Sequence, residues 1–155
     1  MPRVEVPLLG KKLWATGDIL LRAELDLLVR DNNGIWRPET FLIDSGAEVS
    51  SMATELARAL DLPIPRKAIS LNVNGVRREV RTGLIRVQLA GIGGSEHVFP
   101  CYFLDAPILR SGANPSPASA RNLLGLSGVV DKLRITFDGK PTPGARYGVV
   151  VVETP

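Results

Sequence analysis

The 155 residues carry a formal net charge of +3, are 45% hydrophobic and 5% aromatic, and include one cysteine and one histidine. Such a chain is long and apolar enough to bury a core. A disulfide framework or a cysteine-based metal cluster within one chain is excluded, scattered arginines with so few aromatics leave little for nucleic-acid binding, and no run of about 18 apolar residues is available to span a membrane. Met1 to Gly10 lacks the apolar core of a signal peptide, so the default expectation is a soluble, cytoplasmic protein. A Ser-His-Asp or Cys-His hydrolase would have to use His97, and nothing near it in sequence suits that role; His97 reads as a half-exposed strand residue.

Frequent Val, Ile and Leu, with 15 glycines and 12 prolines, predict an all-β chain folded as one domain over residues 1–155. Residues 1–18, punctuated by Pro2, Pro7, Gly10 and Gly17, read as irregular. From Ile19 to Arg30, Ala23, Leu25 and Leu27 alternate with Arg22, Glu24 and Asp26, the pattern of a strand with one wet face. The turn cluster Asp31-Asn32-Asn33-Gly34 makes this the first arm of a hairpin, with Ile35 to Ile43 returning as the second. Met52, Leu56, Ala57 and Leu60 share a helical face, stopped by Pro63 and Pro65, with Ser50 or Ser51 as N-cap. Asn74-Gly75 between Ala68–Val73 and Val76–Val80 predicts a tight hairpin. Leu84 to Leu89 alternates again and runs into Gly91-Ile92-Gly93-Gly94, a turn rather than a phosphate loop, since no lysine follows and no helix opens there. His97 to Leu104 is another strand. Residues 110–121 read as a flexible loop of small residues. Asn122 to Leu133 reads as a strand end, a glycine and a short amphipathic helix, followed by strands over 134–138 and from Tyr147 to Glu153.

Everything turns on Phe41-Leu42-Ile43-Asp44-Ser45-Gly46-Ala47. A buried strand that ends in a carboxylate must pair, hydrogen-bond or protonate it. By itself Asp44-Ser45-Gly46 is equally a polar turn closing a strand. The wider pattern resembles the retropepsin-like aspartic proteases, the single-domain relatives of pepsin that include the retroviral enzymes. The residues that carry the resemblance are the apolar run into Asp44-Ser45-Gly46-Ala47 and, about 80 residues on, Leu123-Leu124-Gly125, with the Asn74-Gly75 hairpin between them where the family places its flap. The ordered match covers roughly residues 19–139. Ser45 stands where threonine is commoner, and the flap tip lacks the glycine-rich run of the retroviral enzymes.

The resemblance implies a closed β-barrel with one or two short helices, assembled as a two-fold homodimer, because aspartic proteolysis needs two facing carboxylates and this chain has one Asp-Ser-Gly. Asp44 of each protomer would flank one water, the pair sharing a proton because two carboxylates that close cannot both carry charge. A shared proton is the general behaviour of aspartic-protease dyads, and for this chain it is an implication of family. Ser45, Gly46, Ala47, Leu123, Leu124 and Gly125 would support the catalytic loop, Val73, Asn74, Gly75 and Val76 would form the flap over an extended peptide substrate, and no metal or organic cofactor is called for. Arg77, Arg78 and Arg81 beside the flap read either as a solvated strand face or as a preference for acidic substrates. Val149 to Val152 offers an edge strand for interleaving chain ends, or equally a strand paired within its own protomer. The alternative to a protease is a catalytically silent dimer of the same fold acting as a protein-interaction module.

Overall fold

A computed structural model describes residues 2–73, 75–91, 94–106 and 121–155. Twelve strands and one helix are present among them: β1 (Arg3–Pro7), β2 (Leu9–Lys12), β3 (Ile19–Arg22), β4 (Glu24–Arg30), β5 (Trp36–Ile43), β6 (Ser50–Ala53), α1 (Thr54–Ala59), β7 (Ile69–Val73), β8 (Val76–Leu89), β9 (His97–Leu104), β10 (Asn122–Leu124), β11 (Arg134–Asp138) and β12 (Val149–Glu153). The main sheet runs β4-β5-β10-β6-β9-β8-β7, and β4 pairs a second time with β8 through Leu27↔Leu89, Leu28↔Gln88 and Val29↔Val87. The pairing that leaves β4 on one side therefore returns to it on the other. Two smaller sheets accompany it, β1-β12-β11 and the ribbon β2-β3. Among the described residues no helix is long and apolar enough to cross a membrane.

The alternation expected of β4 is realised. Leu25, Leu27 and Val29 are buried while Glu24, Asp26 and Arg30 stay at the surface, which only a period of two achieves. They meet Phe41 of β5, Ile85 and Val87 of β8, and Phe99, Cys101 and Phe103 of β9 in one core. In β8 the buried side changes from Val80 to Ile85, Val87 and Leu89, although its register with β9 is unbroken from Val80↔Leu104 to Val87↔His97. The crossing falls at Gly83, where a Cβ would lie 2.8 Å from the Phe103 ring. There β8 leaves the core wall and continues as one arm of the β7–β8 hairpin.

The structure corrects several sequence expectations. Residues 1–18 are not irregular: they supply β1 and β2. The run 19–30 breaks at Ala23 into β3 and β4, which belong to different sheets. Val76–Val80 and Leu84–Leu89 form one strand. Met52 lies in β6, and α1 starts after Ala53 with no side-chain cap, because Ser50 and Ser51 are already engaged in strand pairing. After Gly125 the chain makes successive turns rather than a helix, with isolated helical bonds from Val130 N–H to Leu126 O and Leu133 N–H to Val129 O. Gly128, at φ +72°, has the left-handed backbone that interrupts a right-handed helix. Of the two readings left open for Val149–Val152, pairing within its own protomer is the one found: β12 pairs with β1 on one side and β11 on the other, with Val150 and Val152 fully buried. The glycine turn at 91–94 and the loop at 110–121 fall largely outside the described residues.

Two carboxylates hold the turns. The buried Asp31 accepts from the N–H groups of Asn33 and Ile35, 2.8 Å each, and from Arg37 Nε at 2.9 Å, which shapes the β4–β5 hairpin. Burial alone would raise its pKa, but these three donors together hold it below the ordinary carboxylate value. Asp105 accepts from Arg81 Nε and Nη2 at 3.2 and 3.1 Å and from the Thr54 hydroxyl at 2.6 Å, tying β8 to the start of α1. The Arg81 hydrogen bonds lower the Asp105 pKa against an opposing effect of burial. A carboxylate whose pKa is depressed on folding contributes stability above its unfolded value, ~3.9, and that contribution is lost as pH falls toward the folded value. The urea midpoint is expected to drop between pH 5 and pH 3. Asp31→Asn, which cannot ionise, should start lower at pH 5 and fall less over the same interval; an unchanged slope would show that Asp31 has no part in the acid sensitivity.

Candidate active site

Asp44 follows directly on β5, and its placement depends on β10. That three-residue strand inserts between β5 and β6, parallel to the first (Asn122↔Phe41, Leu123↔Leu42, Leu124↔Ile43) and antiparallel to the second (Leu123↔Ser51). Asp44 N–H donates to Leu124 O at 3.0 Å, continuing the β5–β10 ladder into the loop. Its carboxylate Oδ1 accepts from Gly46 N–H at 2.9 Å, and Asp44 O accepts from Ala47 N–H at 3.1 Å. The loop is thus curled around the aspartate, which is half-buried, while Ser45 and Gly46 are exposed. The bond to Gly46 occupies one carboxylate oxygen and leaves the other free of it, on a side chain that solvent still reaches.

The return side of the loop is locked as closely. Leu126 N–H donates to Ala47 O at 3.0 Å and Ser127 N–H to Glu48 O at 2.7 Å. Gly125 N–H donates to Ser50 Oγ at 3.0 Å. Ser50 is fully buried, so its hydroxyl satisfies a backbone donor that water cannot reach. A Cβ on Gly125 would lie 2.5 Å from the Val49 carbonyl carbon and 2.8 Å from Ser50 N. Only glycine permits that approach. The structure therefore brings Asp44, Gly46, Ala47, Leu124 and Gly125 together in one hydrogen-bonded unit, with Leu123 in its supporting strand. Sequence pattern marks Ser50 only as a helix cap. Its partner lies 75 positions away, and no local pattern signals such a bond.

The hairpin read as a flap is formed by Val73↔Val76 pairing at the head of β7–β8, with Gly75 at φ +78°; Asn74 and the Val73 side chain lie outside the described residues. Of the three arginines beside it, Arg81 is committed to Asp105, and Arg77 Nε donates to Ser70 Oγ at 2.7 Å across the hairpin. A groove lined by Arg30, Pro63, Pro65, Leu84 and Arg86 lies at the far end of β4 and β5 from Asp44. Cys101 is buried against β6, and burial pushes its thiol pKa up to about 12, the behaviour of an inert core residue. His97 stacks on the Phe99 ring at 6.1 Å, and its pKa is lowered by burial and by Lys132. Among the described residues no three His, Cys, Asp or Glu side chains are grouped to hold a metal ion.

A family model described as aspartyl protease matches residues 29–127, a span that contains the Asp44 loop, the β7–β8 hairpin and the Leu123-Leu124-Gly125 segment. The chain belongs to the aspartyl protease family. Its fold is similar to a retropepsin-like aspartic protease from Rickettsia conorii, known from a crystal structure, with a TM-score of 0.55 at 12% sequence identity over 97% of this chain and 90% of that one. At that identity the likeness is one of fold. No curated protein matches the sequence.

Replacing Gly125 with alanine in this aspartyl-protease loop should cost about 2 kcal/mol or more, since the added methyl meets backbone that has no room to move. Ser50→Ala, which strands a buried N–H, should cost about 1–3 kcal/mol. Gly139→Ala, where a Cβ meets nothing within 4 Å, is the control and should stay within about 0.5 kcal/mol. Urea unfolding measures all three; equal stabilities would show that the β10 lock contributes nothing.

Proposed function

We propose that the protein is an aspartic endopeptidase that acts as a homodimer, with Asp44 from each protomer flanking one water. The observation that carries this reading is the half-exposed Asp44 carboxylate held by Gly46 N–H on a loop whose turns are bonded to β10 or its continuation. Asp138 at the end of β11 has the same single bond, from Lys140 N–H at 2.9 Å; what sets Asp44 apart is that its N–H is bonded to Leu124 O and its loop to the turn after β10, a segment far along the chain. The Asp-Ser-Gly occurs once, so the second carboxylate comes from a second copy on a two-fold axis. The ring of strands from β4 through β5, β10, β6, β9 and β8 would be the closed barrel that carries it.

In this arrangement one Asp44 carboxylate takes a proton from the water as it attacks the scissile carbonyl. The other, protonated, donates to the carbonyl oxygen, and the tetrahedral intermediate collapses as the leaving amine gains a proton. Because the two groups are related by symmetry, either can begin as the base, and the proton belongs to the pair. The Ser45 side chains, exposed beside each carboxylate, would hold the two loops to one another. The β7–β8 hairpin would close over an extended peptide that pairs through its main chain, and Leu123, Leu124 and Gly125 would act only as support.

The decisive experiment is cleavage of a mixed peptide library at mildly acidic to neutral pH by wild type and Asp44→Asn, with the oligomeric state measured alongside. Wild type is expected to cut and to sediment as a dimer. Asp44→Asn should retain fold and dimer and lose at least about a thousandfold in rate, the scale seen when an acid-base group is removed. Cleavage that survives Asp44→Asn would overturn the assignment.

A further inference from the structure

The β2–β3 ribbon is left without a function by the protease reading, and its composition is unlike a solvated hairpin. Among the described residues it pairs only with itself, through Leu9↔Arg22, Gly10↔Leu21, Lys11↔Leu20 and Lys12↔Ile19. Ile19, Leu20 and Leu21 are each about half exposed, at 47%, 52% and 53%, and successive strand residues point to opposite faces. Leu20 and Lys11 share an open face, and on the other, where Tyr147 covers Gly10, Ile19 and Leu21 are still half exposed. At its turn Trp14 is 94% exposed, held in an ordered turn by Leu13 N–H to Asp18 O and Gly17 N–H to Leu13 O, each 2.8 Å. An isolated two-stranded ribbon is at best marginally stable in water, and a contiguous apolar surface on one marks a contact site.

The base of the ribbon is anchored beside the catalytic loop. Ala23, the residue joining β3 to β4, accepts through its O from Ile43 N–H at 2.9 Å, one residue before Asp44. Glu24 is paired with Leu42, so the antiparallel register, carried two residues on, sets Arg22 level with Asp44. On the other strand, Leu8 is buried with its N–H bonded to Gly148 O, and Gly10 sits so close to the Tyr147 ring that a Cβ would lie 2.4 Å from it. The ribbon thus leaves the body in a fixed direction at the site itself.

We infer that residues 9–22 are a dimerisation arm, and that Trp14, Ile19, Leu20 and Leu21 of each protomer pack on the second copy of the chain. This rests on the homodimer reading above. A two-fold interface meets itself with the same surface. If the Asp44 loops face each other, the arm rooted next to each begins inside that interface. Its four residue pairs, at ~3.3 Å each, carry it about 13 Å across the partner. Trp14 offers roughly 200 Å² and the three aliphatic side chains about as much again, a large share of the ~800 Å² per partner that a stable interface buries. The C-terminal strand does not compete for this role, since β12 is already paired on both sides.

The test is sedimentation over a concentration series for wild type, Trp14→Ser/Leu20→Ser and Asp44→Asn, with cleavage assayed in the same samples. The exposed double substitution should leave far-UV circular dichroism unchanged and weaken dimerisation about 30-fold or more. Cleavage should be lost at dilution and return as concentration rises. A Trp36→Phe variant leaves Trp14 as the sole tryptophan; its emission should shift to the blue and its acrylamide quenching fall as the dimer forms. A wild-type dimer with an equally dimeric double variant, or a Trp14 still solvent-quenched in the dimer, overturns the arm alone. A wild type that stays monomeric at every concentration overturns the homodimer and the arm together.

Discussion

The site depends on one insertion, the three residues of β10 between β5 and β6. Because β10 runs parallel to β5, its carbonyl at Leu124 reaches the N–H of Asp44 just past the strand end, and because it runs antiparallel to β6, the next residue is carried against the start of that strand. The loop 44–49 is therefore closed at both ends by the same short segment. Loop closure over so long a separation carries an entropic cost. It is offset here by ladder bonds, by the Ser50 hydroxyl and by burial of Leu124 and Val129, all made within a few residues of one another. The glycine at 125 is what permits the approach; a side chain there would occupy the position of the Val49 carbonyl.

The charged groups divide by what they touch. Asp31 and Asp105 accept from several fixed donors and shape the β4–β5 turn and the start of α1. Pairs such as Arg86 with Glu96 are largely exposed and contribute little. Asp44 belongs to neither group. Its carboxylate has one bond to its own loop and an accessible edge. The proposed arm follows from the same geometry, because the strand that begins beside Asp44 is the one that continues outward as β3. An interface built this way would couple assembly to activity: dilution would separate the carboxylates and the apolar arms in one step.

The elements legible in the sequence are those whose signal is local. Alternation in β4, the Asp31–Gly34 turn, the paired strands around Gly75 and the β-branched run of β12 each follow from side-chain period or turn chemistry within a dozen residues. The misreadings all have a non-local cause. Pro2, Pro7, Gly10 and Gly17 suggest irregular chain at the N-terminus, yet pairing with β12 and with β3 makes strands of the segments between them. The residues after Gly125 have helical spacing, but Gly128 adopts a left-handed backbone against the Pro100 ring, where a Cβ would lie 2.4 Å away. Ser50 has the look of a helix cap, and its hydroxyl is taken by a partner far along the chain.

From the sequence alone came the β character, the family signature and the identity of Asp44 as the residue of interest, because these depend on residue type and short-range order. Which strand faces which neighbour came only from the tertiary structure. The valines of β12 announce a strand without saying whether it is central or at an edge, since backbone pairing leaves no mark on side-chain choice once both faces are apolar. The Ser50–Gly125 bond and the exposed arm beside Asp44 belong to the same class. Each is a relation between segments distant in sequence, and such relations are set by how the sheets close rather than by what any one segment prefers.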